Sequence, residues 1–264
     1  MMNIVQILKQ AKIENYIFEA KIINEHAEKY NLDAHALAER RIKREPLQYI
    51  LGEWEFYGDI YKLNKDCLIP RPETEFLTEY IINHAGKNAL ILDLCSGSGC
   101  VSISALKRRE DLRAVLIDIS GGAVDISREN AKINNVYDRT DFYCLDIIKD
   151  FAQIAKICKP DLIVSNPPYL SLQEVRELKD ELAHEPEAAF LGGADGLAFY
   201  KFIIANYKNI CREIIFECGT GQHKKIITLF ESNGFNCDII KDYNKIERVI
   251  AGRGAPRSNR RRKF

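Results

Sequence analysis

The sequence lacks the features of a membrane protein and of a strongly charged one. Its 264 residues contain no run of about 18 apolar residues, the length needed to cross a bilayer. Residues 1–6 become polar too early for a signal peptide. Thirty-eight basic and 38 acidic residues cancel, so no overall field attracts nucleic acid or an anionic membrane. These absences predict a cytoplasmic protein that meets any charged partner locally.

The sequence also lacks any Cys-x-x-Cys pair, although it contains eight cysteines. Without such pairs, reduced cysteines inside the core are favoured over a zinc site or a disulfide framework, and no metal is predicted. Most of the eight lie in apolar segments. They are Cys67, Cys95, Cys100, Cys144, Cys158, Cys211, Cys218 and Cys237.

Apolar stripes with helical spacing predict a small helical domain at the N-terminus. The stripes consist of Ile4, Ile7 and Leu8, of Ile17, Ala20, Ile23 and Ala27, and of Leu37 behind a helix cap at Asp33. The aromatic segment that follows predicts a β-hairpin whose two-residue turn begins at Gly58. We expect residues 1–68 to form this first domain. It acts either as a partner-recognition module or only as a packing appendage.

From residue 69 to residue 252, strands and helices alternate regularly, which predicts an α/β domain with a mostly parallel sheet. Only the short polar stretch 241–245 separates the last two strands, so the final strand is predicted to be antiparallel. The tail, residues 253–264, is predicted to be disordered, and a solvated terminus is favoured over contact with RNA phosphates. Its basic residues are Arg253, Arg257, Arg260, Arg261, Arg262 and Lys263.

A loop of small residues, 93–99, follows the first strand of this domain and opens its first helix. Small residues let a ligand approach the backbone closely at a helix N-terminus. Asp118 comes nineteen residues after Gly99, at the end of the second strand, where an acid grips the hydroxyls of a bound ribose. After the third strand, Asp146 and Ile147 are placed to meet an adenine. The glycine spacing argues against NAD.

The motif Asn166-Pro167-Pro168-Tyr169 follows a buried strand directly. Two prolines stiffen the turn and donate no hydrogen bond, while the Asn166 amide both accepts and donates. The predicted pocket is rich in acceptors, has one aromatic wall, and suits a planar group with an NH2, such as a carboxamide or a base amine. The alternative is a proline-stiffened loop without chemistry.

Together these motifs resemble class I S-adenosylmethionine-dependent methyltransferases, and more narrowly the bacterial peptide-chain-release-factor N5-glutamine methyltransferase family. The resemblance runs through residues 44–52, 54–57, 68–75, 91–99, 117–120, 163–169, 184–186 and 193–200. It implies a Rossmann-like methyltransferase sheet and methyl transfer to the glutamine of the Gly-Gly-Gln motif of release factors. The helical domain is then expected to dock that protein partner.

The resemblance also assigns roles to individual residues. The glutamine amide is assigned to Asn166, Pro167, Pro168 and Tyr169, of which Asn166, Pro167 and Tyr169 are expected to be catalytic. S-adenosylmethionine is assigned to Cys95, Ser96, Gly97, Ser98, Gly99, Asp118, Asp146, Ile147 and Asn166. Two positions depart from the family pattern, because Cys95 stands where glycine is common and Ile147 stacks less well than an aromatic ring.

An amide nitrogen is a poor nucleophile, and the motif offers no general base, so positioning is expected to carry the catalysis and no histidine is expected to take part. Two other functions stay open. An adenine-N6 methyltransferase on RNA or DNA uses the same kind of pocket, but only the basic tail supports it. The other is a non-enzymatic adaptor. A ribosomal-protein glutamine is an alternative substrate.

Overall fold

The computed structural model describes residues 3–177 and 182–254 of the chain. Eleven α-helices lie in these ranges: α1 (Ile4–Gln10), α2 (Tyr16–Tyr30), α3 (Ala34–Ile42), α4 (Leu47–Leu51), α5 (Glu75–His84), α6 (Cys100–Arg108), α7 (Gly121–Ile133), α8 (Phe151–Ile157), α9 (Leu172–Arg176), α10 (Ala198–Tyr207) and α11 (His223–Ser232). None of them is long and apolar enough to span a membrane.

Nine strands occur in the same ranges: β1 (Glu53–Phe56), β2 (Asp59–Lys62), β3 (Leu90–Leu94), β4 (Arg113–Asp118), β5 (Thr140–Cys144), β6 (Leu162–Ser165), β7 (Glu213–Glu217), β8 (Phe235–Lys241) and β9 (Glu247–Gly254). The first two form a separate hairpin, and the other seven form one sheet in the order β5-β4-β3-β6-β7-β9-β8.

The four N-terminal helices bury a core of their own. Asp33 caps α3 by accepting a hydrogen bond from the His35 amide, as the sequence predicts. One residue fewer than predicted is buried on the apolar face of α2, since the side chain of Ile17 is 65% exposed. Ile17 lies in the first turn of α2, where it faces away from the packed helices. The buried core residues are Ile4, Leu8, Ile13, Ala20, Ile23, Ala27, Leu37, Ala38, Leu47 and Ile50.

The hairpin β1–β2 joins the helical unit to the larger domain. Its turn is Tyr57-Gly58, one residue earlier than predicted, because Phe56 pairs with Asp59. Both turn residues have positive φ, 52° and 76°, which is the backbone that a tight hairpin requires. Asn130 of α7 then holds β2 by donating to the Lys62 carbonyl and accepting from the Lys62 amide.

The central sheet is parallel except for β9, which pairs antiparallel with both β7 and β8. This confirms the predicted direction of the final strand and adds that it lies inside the sheet rather than at its edge. Arg253, predicted to begin a disordered tail, pairs in β9 and forms an ion pair with Asp238 of β8 at 2.6 Å. A paired strand therefore continues to Gly254, and the rest of the tail lies outside the described residues.

Alternating side chains of the sheet pack on two layers of helices. Ile91 of β3 lies in the cluster that includes α5 and α6, whereas its neighbour Leu92 lies in the cluster that includes α10 and α11. This two-sided burial explains the nearly continuous apolar strands. It also leaves the carboxyl ends of β3, β4, β5 and β6 side by side at one edge of the sheet, as their parallel register requires.

Candidate active site

A cavity of about 310 Å³ opens where the parallel strands β3 to β6 end. It brings together most of the residues that the sequence singles out. The predicted residues that line it are Cys95, Ser96, Gly97, Ser98, Asp118, Asp146, Ile147, Asn166 and Pro168. Gly99, Pro167 and Tyr169 do not line this cavity within the described part of the chain. Two motifs more than sixty residues apart therefore share one space.

The loop after β3 turns sharply beside the cavity. Cys95 has a φ of 60°, in the left-handed region that favours glycine, so the backbone keeps the glycine-like path although the residue is cysteine. Gly99 has a φ of 77°, and a Cβ placed there would lie 2.3 Å from the Ser127 hydroxyl oxygen. Gly99 thus allows the close approach of this loop to α7.

Asp118 at the end of β4 fixes the loop from the side. One of its carboxylate oxygens accepts a hydrogen bond from the Gly97 amide at 2.8 Å, and the other accepts one from the Ser120 amide at 2.9 Å. Burial raises the pKa of Asp118 above its usual value, and these backbone hydrogen bonds oppose the rise. Each oxygen keeps a further lone pair for a ligand hydroxyl. Asp118, the residue predicted to hold a ribose, therefore lies beside the loop.

Asp146 and Ile147 continue the cavity wall after β5. Burial raises the pKa of Asp146, but the amides of Ile148 and Lys149 together with the Lys149 ammonium outweigh it and hold the pKa below the usual value. One carboxylate oxygen is occupied by those two amides, so the second, 3.2 Å from the Lys149 ammonium, is the one that can face a base. The side chain of Ile147 is buried.

The turn after Asn166 is held rigidly from the other side. The Tyr169 carbonyl accepts a hydrogen bond from the Gln222 side chain at 2.7 Å, and Leu170 exchanges backbone hydrogen bonds with the 190–192 segment. Gly196 packs so tightly here that a Cβ would lie 2.4 Å from the Tyr169 carbonyl oxygen. Its φ of 72° also requires glycine. The Tyr169 ring packs in the apolar layer, and burial raises its pKa to about 12.

Two residues that sequence reasoning missed lie behind Asn166. The Asn166 side-chain amide donates to the Thr74 hydroxyl at 3.3 Å. Glu217, at the end of β7, is 3% exposed, and hydrogen bonds from Thr74 and Asn166 oppose the effect of burial, which raises its pKa to about 7. The signal for Glu217 is an acid at the end of a buried strand, followed by glycine two residues later.

Arg71, which lies between two prolines, points at the buried Glu185. The guanidinium donates to one Glu185 oxygen at 2.5 Å, and the Ile69 amide donates to the other at 3.0 Å. Arg71 and Pro186 both line the cavity. This pair ties the segment before α5 to the segment around residue 185, so it closes one wall of the site. Among the described residues, no group of three or more His, Cys, Asp or Glu side chains is arranged to hold a metal ion.

Comparison with known proteins identifies the family. The model of the methyltransferase small domain matches residues 72–190. A release factor glutamine methyltransferase of Thermodesulfovibrio yellowstonii is 36% identical over 256 residues, which cover 94% of this chain and 88% of that protein. The chain belongs to the release factor glutamine methyltransferase family. The relative from Clostridium acetobutylicum is 30% identical and covers 92% of this chain and 93% of its own length.

Membership in the release factor glutamine methyltransferase family makes this protein a methyltransferase, as the sequence predicts. A solved structure supports the fold: the hMettl16 catalytic domain in complex with MAT2A 3'UTR hairpin 1 matches with a TM-score of 0.59. It is 13% identical, and the match covers 85% of this chain and 80% of that one. The Rossmann-like methyltransferase sheet is thereby confirmed.

Proposed function

We propose that this enzyme transfers the methyl group of S-adenosylmethionine to the side-chain amide nitrogen of the glutamine in the Gly-Gly-Gln motif of a peptide chain release factor. The observation that carries the proposal is the orientation of Asn166. Its NH2 is engaged by Thr74 at 3.3 Å, which leaves its amide oxygen for an NH2 group in the cavity. The family relationship supports the choice of a glutamine amide over a base amine.

The residues after β3 fit S-adenosylmethionine. The Ser96 hydroxyl is buried beside the cavity and has no hydrogen-bond partner among the described residues, so a polar ligand would satisfy it. No described atom lies within 4 Å of a Cβ built on Gly97, which leaves that side of the loop open to a ligand. Asp118 would hold the ribose, Asp146 and Ile147 the adenine, and residues 95–98 the remainder.

Positioning carries the reaction. When bound, S-adenosylmethionine would supply a methyl group on a positively charged sulfur. The acceptor nitrogen would form the new N–C bond with its lone pair while the S–C bond breaks and leaves its electron pair on sulfur, and the nitrogen would release one proton to solvent. Asn166 orients that nitrogen because its amide oxygen accepts a hydrogen bond from one of the N–H groups. The stiff Pro167-Pro168 turn keeps the acceptor from moving. Alignment of this kind contributes on the order of 7 to 11 kcal/mol.

The N-terminal helical unit is the proposed docking site for the release factor. Large apolar side chains are exposed on α2 and on the turn after it, including Ile17 at 65%, Phe18 at 57% and Leu32 at 49%. Ile17 and Phe18 are neighbours in the first turn of α2, so this end of the helix is the part proposed to contact the partner. Translation takes place in the cytoplasm, so the proposal places the reaction there.

Methyl transfer from labelled S-adenosylmethionine tests the proposal. The acceptors, offered in parallel, are a bacterial release factor, the same factor with its Gly-Gly-Gln glutamine replaced, and a mixture of RNA and DNA. We expect label in the intact factor alone. Label in nucleic acid would overturn the substrate assignment and leave the fold intact. Equal label in both factors would move the acceptor to another residue.

A further inference from the structure

Glu217 is a buried carboxylate that the mechanism above does not use. We propose that Glu217 is a positioning residue, which holds the NH2 of Asn166 both directly and through Thr74 and thereby turns the amide oxygen of Asn166 toward the acceptor nitrogen. The inference rests on the proposed function in one respect, that the acceptor is an NH2 group. Glu217 does not line the cavity formed by the described residues, so it acts through its neighbours.

The sheet register places Glu217 next to Asn166. Ser165, the last residue of β6, pairs in parallel with Phe216 of β7, and the residues that follow these two are Asn166 and Glu217. Thr74 comes from the turn before α5, is 3% exposed and lies against both. Three distant parts of the chain thus meet directly behind the acceptor site.

The chemistry of these groups fixes the direction of each hydrogen bond. An ionised carboxylate only accepts, and a threonine hydroxyl has a single proton. Thr74 therefore donates to Glu217, and its oxygen is left to accept from Asn166. Only the NH2 end of the Asn166 amide can supply that hydrogen bond, which agrees with the contact at 3.3 Å. The amide oxygen then points the other way, into the cavity.

A flipped amide illustrates what the carboxylate prevents. In the flipped orientation, the Asn166 amide oxygen would face the ionised Glu217, and both groups only accept hydrogen bonds. The Asn166 NH2 would then face the substrate nitrogen, which also carries N–H groups. Two donors facing each other cannot align the substrate. A protonated Glu217, or a glutamine in its place, can itself donate and so permits the flipped amide. The charge of Glu217 is the feature that selects one orientation.

The surroundings of Glu217 make its ionisation costly. Burial raises its pKa to about 7, the nearby Arg248 lowers it, and Glu73 raises it. One Glu217 oxygen is buried with no hydrogen-bond partner in the described residues. The other titratable neighbours in its electrostatic environment are Cys100, Cys218, Tyr169 and Tyr200. Ionising a carboxyl group that is buried behind Asn166 costs free energy, and packing alone does not explain why an acid stands there.

Single-turnover methylation of a release factor tests this inference. We expect Glu217→Gln to lower the rate by about 10- to 100-fold, since it removes a charged hydrogen-bond partner. The affinity for S-adenosylmethionine should stay unchanged. Thr74→Val should act in the same direction, whereas Thr74→Ser keeps the hydroxyl and should stay near the wild-type rate. Glu213→Gln is the matched control, because Glu213 lies at the other end of the same strand and pairs with Arg253.

The pH profile separates positioning from mere packing. The wild-type rate should rise with pH through about 7, as Glu217 ionises. Glu217→Gln should remove that rise. Asp93 is also buried, with a pKa raised to about 7, so a rise that persists in Glu217→Gln would belong to another group and would overturn the inference. A wild-type rate in Glu217→Gln would also overturn it.

A second measurement does not depend on activity. The side-chain NH2 resonances of Asn166 in the full chain should shift with a midpoint near pH 7 and should stop shifting in Glu217→Gln. No shift in the wild type would overturn the inference. If the wild-type enzyme labels no release factor, the proposed function fails, while these resonances still decide the role of Glu217. If Glu217→Gln does not fold, the Thr74→Val and Thr74→Ser pair decides it.

Discussion

At the scale of single residues, the proposed reaction depends most on the Asn166 amide. Asn166→Ala removes the oxygen that orients the acceptor nitrogen and leaves the loop after β3 intact. We expect turnover to fall by about 100- to 1000-fold, as when one preorganised polar contact is removed from an active site. Cofactor affinity, measured by calorimetry, should remain close to that of the wild type. An equal loss of cofactor binding would contradict the assigned role.

Asp118 is expected to affect binding rather than turnover. Asp118→Asn keeps the shape of the side chain but replaces one carboxylate oxygen with an NH2 group. That NH2 then faces a backbone N–H, of Gly97 or of Ser120, which donates to Asp118 in the wild type at 2.8 or 2.9 Å. We expect the dissociation constant of S-adenosylmethionine to rise by about 10- to 100-fold. The single-turnover rate at saturating cofactor should change little. A lower rate with unchanged affinity would place Asp118 in the chemical step instead.

The sequence predicts the residues that belong to contiguous motifs. Asp118 ends β4 and Asn166 follows β6, and the structure places both at the cavity. Thr74 lies in segment 68–75 without a predicted role, and Glu217 stands in no motif. Their relation to Asn166 appears only when β6 and β7 pair and the turn before α5 packs over them. Contacts between residues more than fifty positions apart leave no spacing pattern in a single sequence.

At the scale of the structural elements, the acceptor turn depends on its glycine neighbours. Gly196→Ala combines a positive φ of 72° with a Cβ at 2.4 Å from the Tyr169 carbonyl oxygen. We expect a loss of about 2 kcal/mol in the free energy of unfolding, measured in urea, together with lower turnover as the turn shifts.

Gly234→Ala is the control for that substitution. Gly234 has a similar φ of 79°, but no described atom lies within 4 Å of a Cβ built there. It should therefore show the cost of backbone strain alone, about 1 kcal/mol, with unchanged turnover. If both variants lost the same stability and kept the same turnover, the close packing of Gly196 on the acceptor turn would be irrelevant to function.

The elements themselves follow the sequence pattern closely. The predicted alternation after residue 69 is present, with helices between successive strands from β3 to β8, because buried strands and amphipathic helices have distinct periods. The hairpin turn is one residue early because Tyr57 accepts a positive φ, which its residue type does not signal. The insertion of β9 between β7 and β8 depends on packing across the sheet, which local periodicity does not encode.

At the scale of the whole molecule, the helical unit and the methyltransferase sheet are joined around the site. The Tyr49 hydroxyl on α4 donates to the Cys67 carbonyl at 2.6 Å, and Cys67 lines the cavity. Asp59 of the hairpin pairs with Lys107 and Arg108 on α6. The helical unit and the hairpin are therefore joined by direct contacts to the cavity wall and to α6. The predicted domain boundary at residues 68 and 69 falls within this joint and stays a prediction.

Glu217 should make stability and activity respond to pH in opposite directions. Its pKa is about 7 in the folded protein and has its ordinary value of 4.5 in the unfolded chain. Between these values the folded protein keeps a proton that the unfolded chain has lost, so stability falls as pH rises through this window and then levels. The proposed activity rises through the upper part of the same window, because the ionised form orients Asn166.

The stability difference between Glu217→Gln and the wild type isolates this effect. Asp93, whose pKa is also raised to about 7, contributes equally to both proteins and cancels. We expect the difference in unfolding free energy to move in favour of the variant by more than about 1 kcal/mol between pH 5 and pH 8. Urea titrations at the two pH values measure it. A constant difference would mean that Glu217 is not buried as a costly charge, and the orientation of Asn166 would then need another cause.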